Sequence, residues 1–288
     1  LALLVLGSVL TSSFDAQQSM YETNGFDSIC HLFMSSNSAH FTYKLYTKFF
    51  NLYQTLSYDP LQRQIFHNML FNFDLLMKTN PIDHLLILKH WNRSLFPAAL
   101  SHKIESISFK QIITGLVVYY WNTEPQYSYY HRNESFDNLD IEKCRKCIVD
   151  VAYQVAQSNF NDEDLSSLLS FIVNCNDEVL LENLLMLLKS LVMIQNQLSP
   201  IENAKNAKND LSLILYLLNH KEESIIADTF DILIVMINNK VIENISLAEL
   251  TDIIIRQISP DVPTEILLQH ITHAHMTTRK RNCIWFMI

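Results

Sequence analysis

Apolar side chains recur at three- and four-residue steps along most of this chain, and the clearest series lies at its centre. Between Leu139 and Leu198 three helix-like segments follow one another with little punctuation. Asn174 to Asp177 separate the last two segments and suit a tight turn with an Asx cap. The pattern therefore predicts an αα-hairpin as the repeating unit. The stripes of this hairpin are Leu165, Leu168, Leu169, Ile172 and Val173, followed by Leu180, Leu184, Leu185, Leu188, Leu191 and Val192.

The rest of the chain shows further helical spacing. Asp59-Pro60 and Asn80-Pro81 each join a capping residue to a proline that suits the first helical turn, so both predict helix starts. The stripe after Asn80-Pro81 contains Ile82, Leu85, Leu86 and Leu88, and Pro97 interrupts the segment that follows it. Other helices are predicted near residues 1–10, 26–34, 39–57, 108–121, 211–218, 225–237, 246–254 and 263–271, with a polar stretch at 11–25 and loops at 126–138 and 198–209.

The spacing of helix starts indicates a repeat architecture. Starts near Asp162, Asn209 and Ser246 lie 47 and 37 residues apart, close to the roughly 40–47 residues of HEAT and armadillo units. We therefore predict an all-α fold, an α-solenoid of armadillo/HEAT-like helical hairpins. The predicted domains are N-terminal helical repeats at 1–125, a loop at 126–138, C-terminal helical repeats at 139–275, and a tail or the start of a severed helix at 276–288.

Composition narrows the class of fold and of site. The chain has only three glycines in 288 residues, against an average usage of roughly 7%. The tight turns of β folds and the glycine-rich phosphate loops of α/β folds are therefore almost excluded. The hydrophobic content of 49% suits stacked helices that are covered on more than one side.

The net charge of −9 argues against nucleic acid as a partner, because binding to phosphates requires a basic face. The acidic residues are unevenly distributed along the chain, since the segment from Glu134 to Lys189 contains 11 acidic and only four basic residues. This excess has two interpretations: a solvated helix surface, or a site for a basic protein partner. In the second interpretation Asp162, Glu163 and Asp164 form the partner-binding acidic surface.

No arrangement of residues in the sequence predicts catalysis. The five scattered cysteines favour reduced thiols and a cytoplasmic location. Cys144 and Cys147 have the spacing of a zinc or redox pair, but both lie near one apolar stripe, so core packing is the favoured interpretation. His270, His273 and His275 could resemble a metal cluster, but no nearby carboxylate or Cys accompanies them. We therefore predict no catalytic, cofactor-binding or metal residues, and no enzyme. Because the chain begins with Leu1 rather than Met, its first helix is expected to be cut from a longer protein.

Two stretches carry a family resemblance. The first is Leu70-Phe71-Asn72-Phe73-Asp74-Leu75-Leu76, which leads to the pair Tyr119-Tyr120. The second runs from Lys146 to Leu191 and contains Ser170-Phe171-Ile172-Val173 and the leucine-rich segment from Leu184 to Leu191. Together they resemble the helical, armadillo-like region of BEACH-domain proteins of the neurobeachin family.

This resemblance implies a cytoplasmic scaffold that binds proteins in vesicle and membrane-protein trafficking. It also implies peripheral membrane association through downstream modules that these 288 residues do not include. It transfers no catalytic residue to this chain. The alternative is a helical-repeat adaptor or regulatory subunit unrelated to trafficking.

Overall fold

The computed structural model describes residues 2–36, 40–101, 107–120, 141–158, 160–175, 177–195, 214–215, 217 and 223–238. All regular elements within these ranges are helical, and no strand occurs there, which confirms the all-α prediction. The α-helices are α1 Ala2–Ser12, α2 Phe14–Glu22, α3 Gly25–Ser35, α4 Tyr43–Thr55, α5 Asp59–Ile65, α6 Phe73–Leu76, α7 Pro81–His90, α8 Phe96–Ser101, α9 Phe109–Tyr120, α10 Ile141–Ser158, α11 Asp162–Asn174, α12 Glu178–Gln195 and α13 Glu223–Asn238; the π-helical turns are π1 Phe66–Leu70 and π2 Trp91–Leu95.

The chain forms two compact units, Leu1–Val155 and Ala156–Ile288. The division between them falls inside α10. The predicted loop at 126–138 lies outside the described residues, as do the helices predicted at 246–254 and 263–271. The predicted domain boundaries therefore stay a prediction. Within the described ranges, no helix is both long enough and apolar enough to cross a bilayer.

Aromatic side chains form the core of the first unit. The Trp91 ring is buried, and its centroid lies 5.2 Å from those of Phe71 and Phe73 and 6.3 Å from that of Phe96. Its Nε1–H donates to the Leu70 carbonyl oxygen over 2.8 Å. Edge-to-face ring contacts of this kind add to the free energy gained by burying the ring area.

Helical backbone continues past Pro97, contrary to the predicted interruption. The π turn Trp91–Leu95 connects α7 to α8, and the Phe96 N–H bonds to the carbonyl of Trp91 across this wider turn. Pro97 is then the second residue of α8. In a regular α-helix the ring of Pro97 would crowd the carbonyl of Arg93, four residues earlier, and Arg93 lies in the wider π turn that precedes α8.

The two Asp/Asn-Pro starts differ in detail. Asn80 caps α7 as predicted, since its side-chain oxygen accepts from the N–H groups of Ile82 at 3.1 Å and Asp83 at 3.0 Å. Asp59 does not cap α5: Tyr58 holds the cap position, and no side-chain capping bond is present. Asp59 is instead the first helical residue, where its negative charge still favours the helix N-terminus.

Helix α2 lies within the stretch that appeared only polar in the sequence. Ser13 caps it, and the buried Gln17 ties it to its neighbours. The Gln17 amide donates to the Leu10 carbonyl at 2.8 Å, and its Oε1 accepts from the N–H groups of Ser57 at 3.1 Å and Tyr58 at 2.9 Å. Hydrophobic periodicity misses this helix because its one buried side chain is polar.

The apolar stripe predicted for α7 is partly wrong. Ile82 is 75% exposed and Leu86 is also exposed, whereas His84, Ile87 and Leu88 are buried. The helix carries apolar residues on most of its faces, so the pattern could not select the buried one.

The predicted hairpin is confirmed in the second unit. Helices α11 and α12 are separated by the short segment that contains Cys175 and Asp177, and the Asp177 Oδ1 accepts from the Leu180 N–H at 3.1 Å. Helix α12 also packs against α13. The stripe residues are buried as predicted, apart from a half-exposed Val173: Leu165, Leu168, Leu169, Ile172, Leu180, Leu184, Leu185, Leu188, Leu191 and Val192 are all in the core.

Candidate functional site

The start of α11 contains the acidic residues that we predicted as a partner-binding surface. Asn161 and Asp164 form a capping box there: the Asn161 Oδ1 accepts from the Asp164 N–H at 3.0 Å, and the Asp164 Oδ2 accepts from the Asn161 N–H at 3.3 Å. The Asp164 residue is only 8% exposed. Its carboxylate therefore serves the helix start, because capping satisfies amides that have no intrahelical partner.

Glu163 is exposed, whereas the side chain of Asp162 lies outside the described part of the structure. Partner binding by this surface stays a prediction, and within the described residues it rests on Glu163 rather than on Asp164. An acidic residue in the first turn also has a local role, since it complements the positive end of the helix dipole.

A second acidic surface lies on α12, and we call Glu178, Val179, Glu182 and Met186 the α12 face. Glu178 and Val179 are exposed, Glu182 is half-exposed, and Met186 is 63% exposed. Positions 179, 182 and 186 follow three- and four-residue steps, so their side chains share one side of the helix. The sequence signal for this face is that none of these residues belongs to the stripe of Leu180, Leu184 and Leu188.

One ion pair affects the charge of this helix. The Lys189 Nζ lies 2.8 Å from the Asp231 Oδ2 of α13, and both side chains are about one-third exposed. Such a pair contributes up to about 1 kcal/mol to stability, because water screens it. Lys189 is the only basic residue of α12, so the remaining charges on that helix, Glu178 and Glu182, are negative.

The C-x-x-C pair lies on α10 in the orientation that core packing predicts. Cys144 is fully buried, and Cys147 is half-buried. Burial, followed by the nearby Asp150 carboxylate, raises the pKa of the Cys147 thiol. A raised pKa disfavours the thiolate form that metals and disulfides require. In the part of the chain that the structure describes, no group of three or more His, Cys, Asp or Glu side chains could hold a metal; His270, His273 and His275 lie outside it.

A buried polar network surrounds His84 in the first unit. The His84 Nδ1 lies 3.1 Å from the Leu76 carbonyl oxygen and its Nε2 lies 2.7 Å from the Tyr120 hydroxyl. A carbonyl only accepts, so Nδ1 carries the proton and Nε2 accepts from Tyr120. The Arg145 Nε donates to the Tyr120 carbonyl at 2.9 Å. The network connects α7, α9 and α10, and its geometry is that of a structural core.

The free energy of unfolding should depend on pH through His84. Burial lowers the pKa of His84 from 6.5 to about 4, although the Leu76 hydrogen bond opposes this shift. The unfolded chain therefore takes up a proton below pH 6.5 that the folded chain does not. The contribution of neutral His84 to stability is fully present above pH 6.5. As the pH decreases below 6.5, the free energy of unfolding should fall by about 1.4 kcal/mol per pH unit, which amounts to a loss of about 3 kcal/mol by about pH 4.

Urea unfolding across this pH range measures the effect. His84→Gln should flatten the profile relative to the unaltered chain, whereas the matched change of an exposed histidine, His31→Gln, should leave the profile unchanged. Parallel profiles for the unaltered chain and His84→Gln would show that His84 does not titrate in this way.

The comparison with known families agrees with this helical, hairpin-based architecture. The chain matches the family model described as "Neurobeachin/BDCP, DUF4704 alpha solenoid region" over residues 2–281. No curated protein and no solved structure gives a match. The matched range includes both stretches that carried the resemblance, and it confirms the predicted α-solenoid class. The chain therefore belongs to the neurobeachin/BDCP family, whose alpha solenoid region it represents over nearly its whole length.

Proposed function

We propose that this chain is a non-enzymatic α-solenoid scaffold segment of a BEACH-family protein, and that it binds proteins in vesicle and membrane-protein trafficking in the cytoplasm. Family membership supports the scaffold class, because stacked helical repeats present extended binding surfaces. The partners are proteins rather than nucleic acids, since the chain is acidic overall.

The observation that carries the proposal is the composition of the α12 face. Val179 and Met186 expose apolar side chains beside the carboxylates of Glu178 and Glu182. Exposed methionine adapts to different apolar partners because its side chain is unbranched and polarizable. Carboxylates around such a contact steer basic segments towards it and reject acidic ones. The face therefore suits a basic segment that also carries apolar side chains.

Glu163 provides a separate contact region. Helices α11 and α12 are joined by a short turn, so they run in opposite directions and the start of α11 lies at the other end of the hairpin from Glu178. Helix α11 has 13 residues, which corresponds to about 20 Å along its axis. The two acidic regions are therefore far enough apart to be tested independently.

Charge reversal on the α12 face should weaken partner binding. For Glu178→Lys with Glu182→Lys, we expect about tenfold weaker binding at low ionic strength and a smaller loss of affinity at high salt. Charges at the edge of an interface act mainly through long-range attraction, and dissolved salt weakens that attraction. Partners captured by the unaltered chain are purified, and their affinity is measured by biolayer interferometry over a salt series. Asp162→Lys with Glu163→Lys tests the α11 region in the same way and leaves the Asp164 cap intact.

The matched control is Asp15→Lys with Glu22→Lys, which reverses two exposed carboxylates on α2. This variant should bind as the unaltered chain does. If every partner binds equally well to both test variants at all salt concentrations, the acidic surfaces are only solvated. If the captured partners have no connection with trafficking, the alternative adaptor function replaces the trafficking role.

A further inference from the structure

An open groove runs between α1 and α4 in the first unit. Its volume is about 630 Å³, and Gly7 and Leu52 are among the residues that line it. Leu4 also lines the groove and is 59% exposed. Lys44 and Lys48, both exposed, lie on the α4 side. The groove thus combines an exposed apolar contact with two positive charges.

The charge of the groove differs from that of the chain. Lys44 and Lys48 are its only ionisable lining residues, although the chain as a whole carries a net charge of −9. They lie four residues apart on one helix, where like charges repel each other. Their arrangement therefore does not stabilise α4. Carboxylates from a bound partner would relieve this repulsion.

The walls of the groove favour one kind of occupant. Both walls are α-helices, whose backbone N–H and C=O groups bond within the helix, so the groove offers no edge to which a strand could be added. Recognition must use side chains, as when an amphipathic helix lies in a groove. Helix α1 has 11 residues, so its wall is about 16 Å long and matches about three turns of a partner helix.

We propose that this groove binds an amphipathic helix of a partner protein, with apolar side chains against Leu4 and Gly7 and flanking carboxylates paired with Lys44 and Lys48. This inference goes beyond the proposed function, since it concerns another unit and the opposite charge preference. The variants that test it do not alter the α12 face, so the two proposals can fail separately.

An anionic membrane is the competing occupant. Val5 and Val9 are also exposed on α1, and together with the two lysines they resemble a weak membrane contact. Two lysines bind an anionic surface weakly, and the acidic chain is repelled by it. Val5 and Val9 also lie outside the lining of the groove, which favours the helix.

A substitution at Gly7 can fill the groove while preserving the fold. A Cβ atom at this position would meet only the Leu52 Cδ1, at 4.0 Å, which is an ordinary contact distance. Alanine should therefore fit, and leucine should occupy the groove beyond it. Both changes favour the helix, because glycine in a helix interior loses more conformational freedom on folding. Gly7→Ala is thus the matched control for Gly7→Leu.

The probes are two synthetic amphipathic peptides of about 18 residues, long enough to populate a helix. Both carry a leucine stripe, one flanked by glutamates and the other by lysines. Fluorescence anisotropy with the full chain should show the glutamate peptide binding at least about tenfold more tightly than the lysine peptide. Lys44→Glu with Lys48→Glu should invert this preference, and Gly7→Leu should weaken binding of the glutamate peptide.

Gly7→Ala should bind like the unaltered chain, and so should Lys143→Glu with Lys146→Glu, which changes two exposed lysines on α10. Thermal unfolding of each variant confirms that it is folded. The proposal is overturned if the two peptides bind equally, if the groove variants bind as the unaltered chain does, or if phosphatidylserine vesicles bind through Lys44 and Lys48 while neither peptide binds.

Discussion

Replacing Trp91 with alanine should lower the free energy of unfolding by about 3–5 kcal/mol. The ring is buried and lies between aromatic side chains that include Phe71 and Phe73, each with its centroid 5.2 Å away. Alanine would leave a cavity that these rigid rings cannot readily fill. The change would also remove the indole hydrogen bond to the Leu70 carbonyl, which ties π2 to π1.

Urea unfolding followed by far-ultraviolet circular dichroism measures this loss without depending on tryptophan fluorescence. Trp91→Phe should cost less than Trp91→Ala, because it keeps a ring and loses only the hydrogen bond and part of the volume. Ile82→Ala removes a side chain that is 75% exposed on the preceding helix, and it should stay within about 0.5 kcal/mol of the unaltered chain. A similarly small change for Trp91→Ala would contradict the structural role of the ring cluster.

Leu185→Ala should destabilise the second unit by about 2–5 kcal/mol. Leu185 is buried on α12, the helix that packs against both α11 and α13. The lost methyl groups leave a cavity in the buried core of this unit. The next residue, Met186, is 63% exposed, so Met186→Ala should change stability by no more than about 0.5 kcal/mol.

This pair of neighbours separates folding from binding. Hydrogen exchange in α11, α12 and α13 should accelerate in Leu185→Ala and remain unchanged in Met186→Ala. When partner affinity is measured on the folded fraction, Met186→Ala should bind more weakly than Leu185→Ala, because only Met186 belongs to the α12 face. Equal exchange rates in the two variants would show that Leu185 does not support the packing of this unit.

Local patterns in the sequence were sufficient to predict the central hairpin and several helix starts. The stripes at Leu165–Ile172 and Leu180–Val192 are buried because a periodicity of 3.6 residues places such side chains on one face. The Asn80 cap was equally predictable, since its hydrogen bonds are made within three residues along the chain. These patterns depend only on residues that are close together in the sequence, so they hold whatever the helix packs against.

The sequence did not show which polar residues would lie at the surface and which would lie in the core. Asp164 appeared to belong to an acidic surface, but its carboxylate accepts from the Asn161 N–H in the capping box at the start of α11. Gln17 and His84 lie in the core with partners that are distant in the sequence: Ser57, in the segment between α4 and α5, and Tyr120, on α9. The exposure of the α12 face likewise depends on packing, because it requires that no helix of the described residues covers Met186, which is 63% exposed.

The glycines of α1 and α9 show the physical reason. Gly7 and Gly115 look alike in the sequence, since each lies inside an apolar helix. A Cβ atom at Gly7 would meet a single methyl group at 4.0 Å, whereas one at Gly115 would lie 2.2 Å from the Phe73 ring. Periodicity along the chain identifies a helix and its apolar content. The space beside each residue depends on side chains from other helices, so it exists only once those helices have packed.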